Sequence, residues 1–594
     1  MNPTEDSLPL TGILARWASG LTTDTIPKRV REFAASQLAS QIAAARATLT
    51  LPIGQKIIRA FGHPLQNDPK SSAYVLAALT MAIDYDDTMY AGHVSHSTVA
   101  VPLAYTQTLN IDGHTLLAAI VSANECAARI TAASTLGPFR GQTAAYTHLA
   151  GSVAARMYLE QAKPTEWASA WGIAFSAPPW VLDHPFFSSE SKALTASTQI
   201  RSGLDACDAA LAGMVGAANV FEHPNGFLSK YAEIPLPHII TNGFGNLWHT
   251  ETFSIKIYPG CAYIDSAIDC AVAIYRRETE RGRTMGPDTI DEVIVEASAF
   301  TTGMDTKSSP YIDGPLTPVS AIGFSVGYNV AVALTRGSLK TSDLSPGRIK
   351  EDSIWRLADR VHVKHDMSLT LNALQATAPI GEALRHAGNA ATAWLLEIAT
   401  NKINSGVSVG EDGDMGVGEG RDGGVAIGGD VGGDGGEGEG EDVGGGGDVG
   451  GDVGGDVGGG EKGGVAIGRD GGVNRDGGTS GSESRGASGD DIVGRNESRD
   501  RTWGEPSISF QDATKSIGAR VIVRFSDGRT EQEYRKSAIG AIGPEARSNH
   551  RELAMHKLTS SGVSDKDAAT LLDIESLSSK DLSKLLTKLL SPPV

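Results

Sequence analysis

Thirteen residues, Asp84 to His96, hold three carboxylates (Asp84, Asp86, Asp87), the hydroxyl of Thr88 and two imidazoles (His93, His96). Apolar chain lies on both sides, with an alanine-rich run over Ser71–Leu79 and TVAVPLAYT after Ser97. Polar groups set between two buried segments are costly unless they are paired or used. Imidazole and carboxylate together can move a proton to or from carbon. Asp84, Thr88 and His96 are therefore candidates for one wall of a substrate site. Asp86 and Asp87 read as structural or helix-capping residues, and His93 as a secondary candidate. Carboxylates and histidines could also ligate a metal. Neither an HExxH pattern nor a second carboxylate–histidine group accompanies them, so no metal is expected.

Four further positions could contribute chemistry. His148 falls in a helix of small residues, where it is either a packed, hydrogen-bonded histidine or a catalytic one. Lys192 and Lys256 stand beside turn or boundary residues, where a surface lysine is the plain alternative. Cys261 follows Tyr258-Pro259-Gly260 with no basic partner in view, which favours a buried thiol over a nucleophile.

The elements that must position these residues are mostly helical up to about residue 260. Asp24-Thr25-Ile26-Pro27 reads as a helix start before an apolar-periodic run from Lys28 to Thr48. Asn110–Gly113 marks a turn before a helix over Thr115–Thr131, and a small-residue helix is expected from about Ala144 to Gln161. After Cys261 the pattern becomes α+β. It holds a helix over Ala262–Arg277, a strand within Thr289–Ala299, an apolar helix over Ala321–Arg336 and a strand at Val361–His365. Beyond about 505, Ala519–Phe525 alternates apolar and polar residues, and Asp527-Gly528 turns it into a second strand at Thr530–Tyr534. Helices follow near Asn549–Leu558, Asp565–Leu572 and Ser579–Leu590. The expected division is a helical domain over 1–260, an α+β domain over 261–368 and 505–544, and an insertion over 369–504. The helices of 545–594 are candidates to pack back on the first domain.

Composition bounds the rest. Hydrophobic residues at 40% support a true core. Residues 411–480 contain 32 glycines and 17 Asp or Glu against 4 Lys or Arg, a net −13 of the chain's −19. A stretch of this kind cannot offset backbone ordering by apolar burial, so 407–500 is expected to be disordered. As a loop inside one domain it is tolerable, because closure entropy grows only logarithmically with length. Its aspartates lack the spacing of an EF-hand loop. No basic patch with interleaved aromatics points to nucleic acid, no run of eighteen apolar residues points to a membrane span, and the acidic first residues do not read as a leader. A cytoplasmic location is the expectation.

Five segments, taken together, give the chain a family resemblance. DYDDT with HS eight residues on (84–97), SKALTA (191–196), KIYPGC (256–261), FSVGY (324–328) and ARVIVRFSDGR (519–529) are similar to the MmgE/PrpD family. That family includes 2-methylcitrate dehydratase and cis-aconitate decarboxylase. The resemblance covers roughly 12–365 and 515–560. It implies a mainly α fold, with a large helical domain, a smaller α+β lid and an active site between them. It further implies a homodimer without cofactor and a small polycarboxylate substrate. Carried onto this sequence, it assigns Asp84, His96, His148 and Tyr328 to catalysis, and Thr88, Lys192, Lys256 and Cys261 to substrate binding. Cys261 and Thr143 stand where decarboxylase relatives carry proton-handling histidines. The resemblance therefore favours a dehydratase that removes a proton α to a carboxylate, with Tyr328 assisting loss of hydroxide. A decarboxylase or epimerase is the alternative within the family. A non-catalytic scaffold that binds partners through the acidic insert is the alternative of another class.

Overall fold

The computed structural model describes residues 8–137, 144–404 and 501–591. Thr143 and the glycine-rich stretch lie outside the described residues. The fold is mainly α with a small sheet.

The N-terminal half is built on alanine-rich helices that pack closely. Helix Lys28–Leu49 is buried along most of its length. Its N-cap is Pro27 with no capping side chain, so Asp24 does not start it as expected; the fixed φ of proline sets the first turn instead. Helix Pro69–Met81 does use a capping carboxylate, Asp68, which accepts from the backbone of Lys70 and Ser71. Helix Gly113–Ala132 is capped by Asp112, which accepts from Thr115 N at 2.9 Å. Helix Tyr146–Leu159 crosses the short helix Ser95–Thr98 at Gly151. A Cβ there would meet Ser97 Oγ at 2.3 Å, so only glycine allows this approach.

Among the described residues, six strands form two sheets. The short one pairs β1 (Asp87–Thr88) with β2 (Ser254–Ile255), antiparallel, with Asp87 opposite Ile255 and Thr88 opposite Ser254. The larger sheet has the order β4-β3-β5-β6, from β3 (Ile290–Ala297), β4 (Val361–His365), β5 (Ala519–Phe525) and β6 (Thr530–Arg535). β4 runs parallel to β3; β5 is antiparallel to both β3 and β6. Two strands that precede the glycine-rich stretch thus share a sheet with two that follow it. Val293, Val295, Val521, Val523 and Phe525 are buried on one face, as the period-2 pattern requires. Helices Asp265–Glu280 and Val326–Arg336 pack on this sheet. The expected helix over Ala321–Arg336 is broken into Val319–Ile322 and Val326–Arg336, because Ser325 caps the second piece by accepting from Tyr328 N. The C-terminal helix Pro544–Ser560 lies against Lys28–Leu49.

Candidate active site

The segment after Met81 leaves its helix and turns sharply at Asp84, whose φ of 50° is left-handed. Such a conformation is costly for a residue with a side chain and persists where the surroundings hold it. Contacts from Lys192 and from the loop at Gly260 do so here. Lys192 Nζ lies 2.5 Å from Asp84 Oδ2 and also donates to Met81 O at 3.2 Å. Gly260 N donates to Ile83 O at 3.0 Å, and Cys261 N to Gly323 O at 2.7 Å. Gly260 has φ +109°, and a Cβ would sit 2.6 Å from Gly323 O, so this loop needs glycine.

The β1–β2 ladder then places Lys256, the residue after β2, against Asp86, the residue before β1. Lys256 Nζ donates to Asp86 Oδ1 at 2.7 Å. The other oxygen, Oδ2, faces His93 Nδ1 at 2.6 Å and His96 Nε2 at 3.2 Å. Burial alone would raise Asp86, but the positive groups of His93, Lys256 and His96 outweigh it and hold the carboxyl well below its usual range. Asp86 is thus the hub of the cluster rather than a helix cap. Asp87 is its contrast. Burial, with Asp86 beside it, pushes Asp87 up to about 6 while Gln41 and Ser95 donate to it.

The histidines form a row. His93 and His96 stack with ring centroids 6.2 Å apart, and His96 meets His148 edge-on at 5.5 Å. His96 Nδ1 pairs with Thr80 Oγ1 at 2.8 Å and His148 Nδ1 with Ser97 Oγ at 3.2 Å. Burial lowers both His93 and His148, and for His148 the neighbouring histidines add to it; Asp86 opposes the shift in each case. Only His93 of the three lines the adjoining cavity.

That cavity, of about 120 Å³, is walled by Thr88, His93, Cys261 and Lys515 and by an aromatic side that includes Phe186, Phe187, Phe324 and Tyr263. Burial raises the Cys261 thiol to about 12, so it is a neutral wall and not a nucleophile. The geometry brings together Asp84, Thr88, His96, His148, Lys192, Lys256 and Cys261. It does not bring Tyr328. That hydroxyl donates to Asp343 O at 3.0 Å, the ring packs on Trp355 at 4.9 Å, and the residue does not border the cavity.

Two lysines beyond the glycine-rich stretch join the cluster without any sequence signal. Lys515 Nζ donates to Thr88 Oγ1 at 2.9 Å. Lys557, on helix Pro544–Ser560, donates to Asp86 O at 2.8 Å and Ser40 Oγ at 2.9 Å, and its ammonium lies over the Tyr85 ring. Burial lowers Lys515 to about 8 and Lys557 to about 7. Lys515 stands between Thr514 and Ser516 and Lys557 between His556 and Leu558, settings that many surface lysines share.

Asp86, His93 and His96 could hold a divalent metal, since one ligand atom from each lies within 4.8 Å of the others. A carboxylate with two imidazoles is a donor set that zinc or ferrous iron accepts. Lys256 Nζ occupies the other oxygen of the same carboxylate, so an ion there would sit against a fixed positive charge.

The MmgE/PrpD N-terminal domain family matches residues 12–237 and the MmgE/PrpD C-terminal domain family matches residues 258–391. The chain belongs to the MmgE/PrpD family. Among curated proteins it is similar to a cis-aconitate decarboxylase of Aspergillus terreus (strain NIH 2624 / FGSC A1156), 24% identical over 392 residues, covering 60% of this chain and 78% of that protein. A second cis-aconitate decarboxylase of Aspergillus terreus is 24% identical over 388 residues, covering 59% and 77%.

Proposed function

We propose that this protein is a carbon–carbon lyase that decarboxylates a small unsaturated polycarboxylate of the cis-aconitate kind, with His93 as the proton donor. The observation that carries this reading is the cavity-wall histidine bonded through Nδ1 to the buried, ionised Asp86. An ionised carboxylate accepts, so Nδ1 carries the hydrogen and Nε2 is the nitrogen left to exchange a proton with a bound molecule. Asp86 supports the imidazolium form, and burial makes that form a ready acid.

In a β,γ-unsaturated carboxylate, the C–C bond to the departing carboxylate breaks and its electron pair shifts through the double bond. CO2 leaves, and the far carbon takes the proton from His93. His93 is then reprotonated from solvent. One proton donor and one anion anchor suffice. Dehydration needs a base for the α-proton and an acid for the departing hydroxide, and Tyr328, the residue expected to assist the hydroxide, spends its hydroxyl on Asp343 O outside the cavity. The likeness to two cis-aconitate decarboxylases supports the same choice.

Incubating the protein with cis-aconitate in D2O should release CO2 and give a dicarboxylate carrying a single carbon-bound deuterium from the proton-transfer step, read by NMR and mass spectrometry. Loss of water from 2-methylcitrate with no CO2 from cis-aconitate would return the assignment to a dehydratase. No turnover of either would point to the scaffold alternative.

A further inference from the structure

Four buried lysines converge on residues 84–88; Lys557 meets the carbonyl of Asp86, and the other three differ in what faces them. Lys192 and Lys256 each meet an aspartate, at 2.5 and 2.7 Å. Lys515 has no carboxylate within ion-pair distance among the described residues; its ammonium donates to the neutral hydroxyl of Thr88. It is 6% exposed. Of the three, only Lys515 lines the cavity beside His93. Lys192 instead borders a different cleft with Pro52, Lys56 and Pro318, and Lys256 borders only a void, shared with Lys515 and Asp265, too small for more than a water.

A buried ammonium with no carboxylate at hydrogen-bond distance is expensive; Asp265, across a small void, offsets part of the cost, and a bound anion or loss of the proton relieves the rest. The backbone around Lys515 is fixed on both sides, which suits a binding group more than a wandering surface lysine. Lys515 N donates to Ile542 O at 2.9 Å, and Ala378 N donates to Thr514 O at 3.0 Å. Because Thr88 Oγ1 accepts from Lys515, its own O–H remains to donate. Ammonium and hydroxyl together offer a forked pair of donors to one carboxylate. The other lysine on the cavity wall, Lys307, is already matched by Asp183 at 3.0 Å.

We infer that Lys515, with Thr88, is the carboxylate anchor of the cavity, and that Lys192 and Lys256 hold the aspartate framework instead of gripping substrate directly. This inference rests on the polycarboxylate reading above and names the group that would recognise such a ligand.

The probe is tricarballylate, a saturated tricarboxylate with no hydroxyl to lose and no double bond to shift. Calorimetry should show binding to the wild-type chain, weakened at least about tenfold in Lys515→Gln, as loss of a charge-assisted hydrogen bond requires. Lys515→Arg should retain most of the affinity, and Lys307→Gln should stay within about twofold of wild type because its charge is already matched. A folded Lys515→Gln that binds like wild type overturns the inference and leaves the lyase reading standing. No binding to the wild type overturns both. Should Lys515→Gln fail to fold, reductive methylation of the unaltered protein decides: tricarballylate should slow labelling of Lys515, read by peptide mass spectrometry, and equal labelling with and without it overturns the assignment.

Discussion

Behind the cavity, two lysines and two aspartates are matched one to one; at its wall, one lysine faces a threonine. Asp84 with Lys192 and Asp86 with Lys256 are each nearly or fully buried ion pairs at hydrogen-bond distance. Lys515 and Thr88 are equally buried, yet Lys515 has no carboxylate at hydrogen-bond distance among the described residues. The same residue types thus serve two ends. Matched pairs fix the path of residues 84–88 through a turn that is locally unfavourable, and the lysine with no paired carboxylate leaves a place where an anion lowers the free energy. Buried charge in this site is therefore set by the counter-charge that faces it and not by residue type.

The comparison is most easily broken through stability. Asp86→Ala should destabilise the fold by about 3–5 kcal/mol, because Lys256 is left buried without its partner. Lys515→Met should fall within about 1 kcal/mol of wild type or above it, since it removes a buried charge that no carboxylate pairs at hydrogen-bond distance. Urea unfolding of the two variants checks this, and a Lys515→Met loss as large as that of Asp86→Ala would erase the distinction. Next in size is His93→Gln. Glutamine can still donate to Asp86 but cannot deliver a proton, so turnover of cis-aconitate should fall by about 10²–10⁴-fold. Tricarballylate affinity should stay near the wild-type value. A parallel fall in both would make His93 a binding residue.

Much of the scaffold was legible because local pattern and final environment agree. Val361–His365, Ala519–Phe525, Asp565–Leu572 and Ser579–Leu590 begin and end where their periodicities do. The cluster at 84–96 was legible as a crowd of polar groups between apolar runs. Its internal order was not. Asp86 read as a cap, yet it collects two histidines and Lys256 because a two-residue ladder, closed over some 170 positions, brings residue 256 beside it. Tyr328 sat in a motif, but the helix that carries it turns the ring toward Trp355. Lys515 and Lys557 belong to no motif. Their roles come from where β5 and the C-terminal helices dock, which is tertiary information that no local window contains.

A smaller effect tests the approach that seats the histidine row. Gly151→Ala puts a methyl group against Ser97 Oγ and Thr98 Cγ2, at 2.3 and 3.0 Å before relaxation. Overpacking of this kind should cost about 1–3 kcal/mol. His148 should shift from Ser97, visible as a changed imidazole resonance, while Lys515-dependent tricarballylate binding should change little. Loss of binding equal to that of Lys515→Gln would mean that the histidine row and the anchor are one unit.

The smallest effect concerns pH. Burial sets Lys515 to about 8; Asp265, Cys261 and Asp86 oppose that fall, and Lys256 adds to it. Burial likewise raises Asp265 to about 7, so it ionises near neutrality and supports the ammonium as it does. A lysine is charged below its pKa, and it is the charged form that attracts a carboxylate. Tricarballylate affinity should therefore fall as pH rises through and above about 8, by up to about tenfold per pH unit where Lys515 is the main anchor. A bound anion moves the midpoint upward, because it stabilises the ammonium. Arginine stays charged throughout this range, so Lys515→Arg should flatten the profile while Lys307→Arg leaves it in place. An unchanged fall in Lys515→Arg would move the titrating anchor to another group, and Lys557, held near 7 beside Tyr85 and Asp86 O, is the next to test.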